Sequence, residues 1–247
     1  MPAIRSFIIC TSPRSGSTFL CSLLRDTGVA GAPESYFHRP SLSDWREGLN
    51  LPSTASLAEI VNAAVSAGTA NTNLFGLRLQ RESAPFLFDQ LRALHPNASS
   101  DVDRLKKSFG SIRFIHLSRQ DKVAQAVSLV RAQQSGLWHR NADGTERERT
   151  QESQPLVYDQ TAIAAEVSSL SQQDADWQSW FETNDIHPMR VTYNDLSANP
   201  SSVLAKILSF LGVETGNLSN VEPATAKLAD ATSAAWVAQF LSDTGTR

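Results

Sequence analysis

The segment that constrains this chain most runs from Phe7 to Leu24. Phe7-Ile8-Ile9-Cys10 is a short continuous apolar run, the pattern of a strand covered on both faces. It gives way to Thr11-Ser12-Pro13-Arg14-Ser15-Gly16-Ser17-Thr18, and apolar residues then resume at helical spacing with Phe19, Leu20, Leu23 and Leu24 before Gly28. Strand, small-residue loop, helix is how a parallel α/β sheet begins.

The rest of the chain keeps that alternation. Leu57 to Ala67 reads as a helix closed by Gly68, and Leu74 to Leu79 as a second strand. Ile112 to Leu117 reads as a third strand. It is followed by a helix with Val123, Ala126, Val127 and Val130 on one face, ending at Gly136. Residues 137–157 are polar and charged and read as a long surface loop with a turn at Asn141-Ala142-Asp143-Gly144. A long helix from about Thr161 to Glu182 precedes a fourth strand, Met189 to Tyr193. Asn199-Pro200 then supplies an N-cap and a first-turn proline for a helix stopped at Gly212. The expected fold is α/β: a P-loop-like parallel sheet covered by helices on both faces. No repeat or linker breaks it, so 1–247 reads as one domain, a size that a single core supports.

Charge narrows the partners. The net charge is −3, which disfavours nucleic acid, whose binding needs a basic surplus. Residues 104–149 nevertheless hold ten Lys/Arg against four Asp/Glu, so one segment is built to meet an anion. Cys10 and Cys21 sit in apolar runs and read as buried, reduced thiols. His38, His95, His116, His139 and His187 lack metal-ligand spacing, so no metal is expected. No run approaches a membrane span and the N-terminus lacks a secretory core, so a cytoplasmic location is the expectation.

In open α/β sheets ligands lie beyond the carboxyl ends of the strands. The loop Ser12-Pro13-Arg14-Ser15-Gly16-Ser17-Thr18 is placed there. Its N–H groups and the following helix N-terminus form an anion cradle, Ser15, Ser17 and Thr18 add hydroxyls, and Arg14 adds a planar fork for phosphate or sulfate oxygens. The G-x-x-x-x-G-K-[ST] pattern of nucleotide triphosphatases is absent. Arg119, at the end of the third strand, and Ser128, two turns into the next helix, can hold a second phosphate. Two phosphate sites suit a nucleotide with a remote phosphate better than ATP.

Together these residues resemble the sulfotransferases that use 3′-phosphoadenosine 5′-phosphosulfate (PAPS), in particular the bacterial trehalose 2-sulfotransferase group with its lipopolysaccharide and nodulation-type carbohydrate relatives. Residues 12–18 match the 5′-phosphosulfate loop, and Thr27-Gly28-Val29-Ala30-Gly31-Ala32-Pro33 continues the match. Ile115-His116-Leu117-Ser118-Arg119 with Gln125-Ala126-Val127-Ser128 matches the 3′-phosphate motif. Trp177 to Phe181, Val191-Thr192-Tyr193 and Trp236-Val237 are similar to later parts of the pattern, so the likeness runs over most of the chain in order. It implies a sulfotransferase fold, PAPS as donor with PAP as product, and a carbohydrate or glycolipid hydroxyl as acceptor. A homodimer is a possible assembly.

The resemblance also assigns roles. Arg14 and the loop would hold the transferring group, and Arg119 and Ser128 the 3′-phosphate. Lys227 sits at a basic family position that contacts the cofactor. Arg78 follows the family's Gly-x motif, where it either approaches the phosphosulfate or acceptor or is a strand-end surface charge. The family reads Gly-x-Pro-x-Glu-Phe-Phe, with that Glu as general base. Here Gly31-Ala32-Pro33-Glu34-Ser35-Tyr36-Phe37 puts Ser35 at the base position and Glu34 one residue earlier. Glu34 is then either the base or a solvated carboxylate, with His38 in reserve, and Ser35 and Tyr36 fall on the acceptor side. Ala32 replaces a family Glu, which argues against assuming trehalose. Two alternatives stay open: a non-catalytic PAPS- or PAP-binding protein, and a kinase-like P-loop nucleotide enzyme. Trp45 and Trp138 are either sugar-stacking or core residues, Trp177, Trp180 and Phe181 read as core, and residues 146–149 as a solvated loop edge.

Overall fold

Four parallel strands make the frame. The computed structural model describes residues 5–140, 145–152, 154–213 and 230–245. β1 (Arg5–Thr11) leads through the small-residue loop into α1 (Ser17–Asp26), followed by α2 (Leu42–Gly48) and α3 (Leu57–Thr69). β2 (Leu74–Gln80), α4 (Ala84–Leu94), α5 (Asp101–Phe109), β3 (Ser111–Ser118) and α6 (Lys122–Ser135) come next. A two-stranded hairpin, β4 (Leu137–Arg140) and β5 (Glu146–Arg149), precedes α7 (Gln160–Thr183). β6 (Met189–Thr192), α8 (Tyr193–Ala198), α9 (Pro200–Leu211) and α10 (Ala231–Thr244) complete the described elements.

The sheet order is β2-β1-β3-β6, with β1 pairing in parallel to both β2 and β3. The period-two alternation of strand side chains divides the core between two faces. Ile8, Cys10, Phe75, Leu77, Leu79 and Phe114 pack with α3, α4, α5 and the aromatic end of α7. Phe7, Ile9, Ile115, Leu117 and Val191 pack with α1, α8 and α9 on the other face. A third apolar cluster joins α6, α7 and α10 through Val127, Val130, Ile163, Leu170, Trp236 and Phe240. Leu20, Leu24, Trp177 and Leu204 are fully buried, each worth roughly 2 kcal/mol of transfer free energy.

Three expectations are corrected. Residues 137–157 are not a structureless loop, because Leu137–Arg140 and Glu146–Arg149 pair antiparallel as the β4–β5 hairpin; the turn expected at 141–144 lies outside the described residues. Gly68 does not close α3 but lies within it, where a Cβ would stand 2.5 Å from the Phe75 ring and 2.8 Å from the Gly76 carbonyl oxygen. Asn199 stands at the N-cap of α9 without a side-chain cap bond; its N–H instead closes α8 on the Asp195 carbonyl at 2.8 Å, while Pro200 opens α9 as expected. Trp45 is core, edge-on to Phe37 and Phe86. Trp177 and Phe181 are core, with Trp180 partly buried beside them, and Cys10 and Cys21 are buried free thiols.

Candidate active site

All four parallel strands deliver something at their carboxyl ends: the loop after Thr11, Arg78 in β2, Arg119 after β3 and Tyr193 after β6. The loop is anchored from beneath. The Thr11 hydroxyl, fully buried, donates to the Leu117 carbonyl at 2.8 Å and lies 2.6 Å from the Ser15 hydroxyl. The Ser15 hydroxyl is therefore engaged within the protein, while its N–H stays with the loop donors. Ser12 is fully buried and donates to Asp174 at 3.2 Å.

Two backbone positions bend the loop. Arg14 has φ of 60° and Gly16, the N-cap of α1, has φ of 87°. Left-handed positions between right-handed ones turn successive N–H groups toward a common side, which makes an anion-binding concavity. Among the described residues no backbone carbonyl takes up the N–H groups of Arg14 to Ser17. Those donors and the start of α1 remain for a ligand.

Arg14 and Arg119 form the basic half. Arg14 Nε donates to Ser128 Oγ at 3.0 Å and Nη1 to the Trp138 carbonyl at 2.5 Å, so the hairpin lies against this arginine. Arg119 Nη1 donates to the Arg14 carbonyl at 3.4 Å, its guanidinium lies 4.5 Å over the Tyr193 ring, and among the described residues its buried Nε has no hydrogen-bond partner. Among the described residues neither guanidinium forms an ion pair. Burial, then the charge of Arg119, pulls Arg14 down to about 10, with Glu148 of the hairpin opposing; burial also lowers Arg119. Two partly buried like charges, with one donor left unused among the described residues, suit an anion.

The other half centres on Arg78. Its Nε donates to Ser35 Oγ at 2.7 Å and Nη1 to Thr18 Oγ1 at 2.6 Å, while Nη2 lies 3.6 Å from Glu34 Oε2. Glu34 also pairs with Arg25 through Oε1. The loop that carries Glu34 is held beside β2, since the Arg78 N–H donates to the Glu34 carbonyl at 3.0 Å. Gly31 permits this approach: at φ of 64° its position leaves only 2.3 Å between a built Cβ and the Leu74 carbonyl oxygen. Arg78 is thus largely covered rather than a strand-end surface charge, while Glu34, about a third exposed, is paired with two arginines.

The structure brings together Ser12, Arg14, Gly16, Arg119 and Ser128 in one half, and Thr18, Glu34, Ser35 and Arg78 in the other. The Tyr36 hydroxyl turns back to the Ala32 carbonyl at 2.6 Å, and burial pushes it up to about 12. Pro13 contributes through its carbonyl, His38 is exposed beyond the Ser35 turn, and Lys227 lies outside the described residues. Sequence reasoning gave no role to Gln125, Asp174, Tyr193 or the Trp138 carbonyl. Gln125 and Tyr193 stood inside quoted motifs, but their contacts cross between elements. Among the described residues no His/Cys/Asp/Glu cluster could hold a metal, and no helix is long and apolar enough to cross a membrane.

Known proteins are similar to this chain over most of its length. The curated trehalose 2-sulfotransferase of Mycobacterium tuberculosis (strain Erdman) is 28% identical over 234 residues, covering 85% of this chain and 85% of that protein. The trehalose 2-sulfotransferase of Mycolicibacterium smegmatis is 27% identical over 261 residues, covering 96% and 95% respectively. The sulfotransferase domain from the Synechococcus PCC 7002 olefin synthase aligns with a TM-score of 0.46 at 17% identity, covering 98% of this chain and 94% of that one. The family profile described as Stf0 sulphotransferase matches residues 6–243, nearly the whole length from the first strand to the last helix, and the chain therefore belongs to the Stf0 sulfotransferase family.

Proposed function

We propose that this sulfotransferase moves a sulfuryl group from PAPS to a hydroxyl of a carbohydrate or glycolipid, leaving a sulfate ester and PAP. The observation that carries the donor assignment is the pair of partly buried guanidiniums, Arg14 bonded to Ser128 and Arg119 against the Arg14 carbonyl, neither of which forms an ion pair among the described residues. A donor with a remote phosphate answers both that charge and the orphaned Arg119 Nε. Arg119 and Ser128 would hold the 3′-phosphate; Arg14, Ser12 to Thr18 and the loop N–H groups would hold the 5′ side. Lys227 belongs to the same proposed set. Family membership leaves the kinase-like alternative without support.

When bound, PAPS supplies an activated sulfuryl group whose transfer needs positioning and charge stabilisation more than covalent help. The loop N–H groups and Arg14 would stabilise the charge that gathers on the departing phosphate. Arg78, fixed by Ser35 and Thr18, would align the transferring end with the acceptor loop. Glu34, oriented by Arg25 and Arg78, keeps lone pairs with which to take the acceptor's proton. Both curated relatives carry trehalose in their names, which supports a carbohydrate acceptor; Ala32 and Ser35 leave its identity to be measured.

The test is calorimetric titration with PAP and 5′-ADP. PAP should bind more tightly, and Arg119→Ala should weaken it by about 2 kcal/mol, roughly thirty-fold, erasing most of the preference. Equal binding of the two nucleotides by the unmodified protein would remove the 3′-phosphate site.

A further inference from the structure

Gln125 is fully buried on α6, yet every polar atom of its side chain is engaged. Nε2 donates to the Pro13 carbonyl at 2.6 Å and to Ser12 Oγ at 3.1 Å. Oε1 accepts from Lys122 Nζ at 3.1 Å, and the same ammonium pairs with Asp174 of α7, which accepts from Ser12. The amide orientation is unambiguous, because an ammonium only donates and a carbonyl only accepts. One turn later on the same helix, Ser128 takes the Arg14 Nε.

The chemistry of the loop explains what such a contact would do. In a planar trans peptide the C=O and the next N–H point in opposite directions. Drawing the Pro13 carbonyl toward Gln125 therefore turns the Arg14 N–H away from α6. Arg14 itself holds a left-handed φ of 60°, a conformation unfavourable for a side chain other than glycine that persists only where surroundings enforce it. A peptide flip at 13–14 would relieve that conformation and put a carbonyl oxygen where an anion must find a donor.

We propose that Gln125 is a positioning residue for the sulfuryl-donor loop: with Lys122 and Asp174 it fixes the 13–14 peptide so that the N–H groups of the cradle are set before the donor arrives. The proposal rests on the PAPS reading above for its ligand. It assigns Gln125 to the 5′ side, whereas Arg119 acts on the 3′-phosphate. Loss of Gln125 should lower affinity without changing the preference between nucleotides that share a 5′-phosphate.

Gln125→Glu keeps the shape and the Lys122 contact but removes both donors; Gln125→Met, of similar length, is the second variant should the first fail to fold. Calorimetry with PAP and 5′-AMP on the variant and on the unmodified protein is the test. Both affinities should fall by about tenfold, with the PAP-to-AMP ratio unchanged. Wild-type affinity for both nucleotides, even with a lowered Tm, would make Gln125 a structural residue only and overturn the proposal, as would loss confined to PAP. If the unmodified protein binds neither nucleotide, the PAPS reading fails separately, and inorganic sulfate decides on Gln125. Thermal stabilisation by sulfate that disappears in Gln125→Glu supports the positioning role. Stabilisation retained in the variant, or absent from both proteins, overturns it.

Discussion

Arg119 lays its guanidinium 4.5 Å over the ring of Tyr193, and the same ring lies close against the position of Gly16. One aromatic side chain after β6 thus supports the arginine proposed to hold the 3′-phosphate and limits the size of the loop residue that caps α1. A Cβ at Gly16 would stand 2.7 Å from Tyr193 Cδ2, at a φ of 87° that side chains avoid.

Gly16→Ala should therefore cost about 2–4 kcal/mol in thermal or denaturant unfolding, combining the left-handed penalty with the clash. In a Tyr193→Ala background only the conformational part remains, so the same substitution should cost less. Equal costs in both backgrounds would show that the ring exerts no pressure on Gly16. Tyr193→Ala should also weaken PAP by about 1 kcal/mol through loss of the cation–π contact, while Tyr193→Phe keeps it.

Glu34→Gln should lower kcat by about 10²–10⁴ while leaving PAP affinity near that of the unmodified enzyme, the usual effect of removing a positioned base. Ser35→Ala, which removes one Arg78 partner at 2.7 Å, should be milder. Arg78→Lys should follow Glu34→Gln more closely than Ser35→Ala, because an ammonium cannot span Ser35, Thr18 and Glu34 as the planar fork does. Steady-state rates with the donor saturating read all three. A near-normal Glu34→Gln enzyme beside an inactive Ser35→Ala one would return the base role to the family position.

Asp230, at the start of α10, accepts two bonds from Arg131 of α6 at 2.7 and 2.8 Å. The Arg131 hydrogen bonds hold its carboxyl down to about 2, against an ordinary value of 3.8. A folded-state value below the unfolded one gives a contribution that is complete above about pH 4 and is lost as the pH falls toward 2. Asp230 is half exposed, so the pair is worth about 0.5–1 kcal/mol, or roughly 1–4 °C in Tm. Melting curves of Asp230→Asn should lie below those of the unmodified protein at pH 6 and converge with them near pH 2. A constant gap across that range would assign the loss to something other than this ion pair.

The parallel sheet was legible because Phe7-Ile8-Ile9-Cys10 is a continuous apolar run and three further short, apolar-rich segments alternate with helical patterns along the chain. The β4–β5 hairpin was not, since Glu146-Arg147-Glu148-Arg149 has no apolar alternation and its exposed pairing leaves no hydrophobic trace. Arg14, Arg119 and Ser128 were legible as motif residues, but their meeting was not: the Arg14–Ser128 bond joins positions 114 residues apart. Arg78 read equally well as a surface charge, because its partners Thr18 and Ser35 lie 60 and 43 residues away along the chain. Gln125 stood inside the quoted motif of Gln125-Ala126-Val127-Ser128, but its contact with the Pro13 carbonyl, 112 residues away along the chain, declares itself only in the fold.

Transfer of label from radiolabelled PAPS to trehalose and a panel of other sugars measures the proposed reaction itself. The unmodified enzyme should form a sulfated sugar with one PAP released per sulfate ester. Arg119→Ala should slow that reaction at limiting PAPS and recover part of the rate as PAPS is raised, because its loss lies in donor binding. Label that reaches no sugar hydroxyl, or transfer that is indifferent to the 3′-phosphate of the donor, would contradict the account.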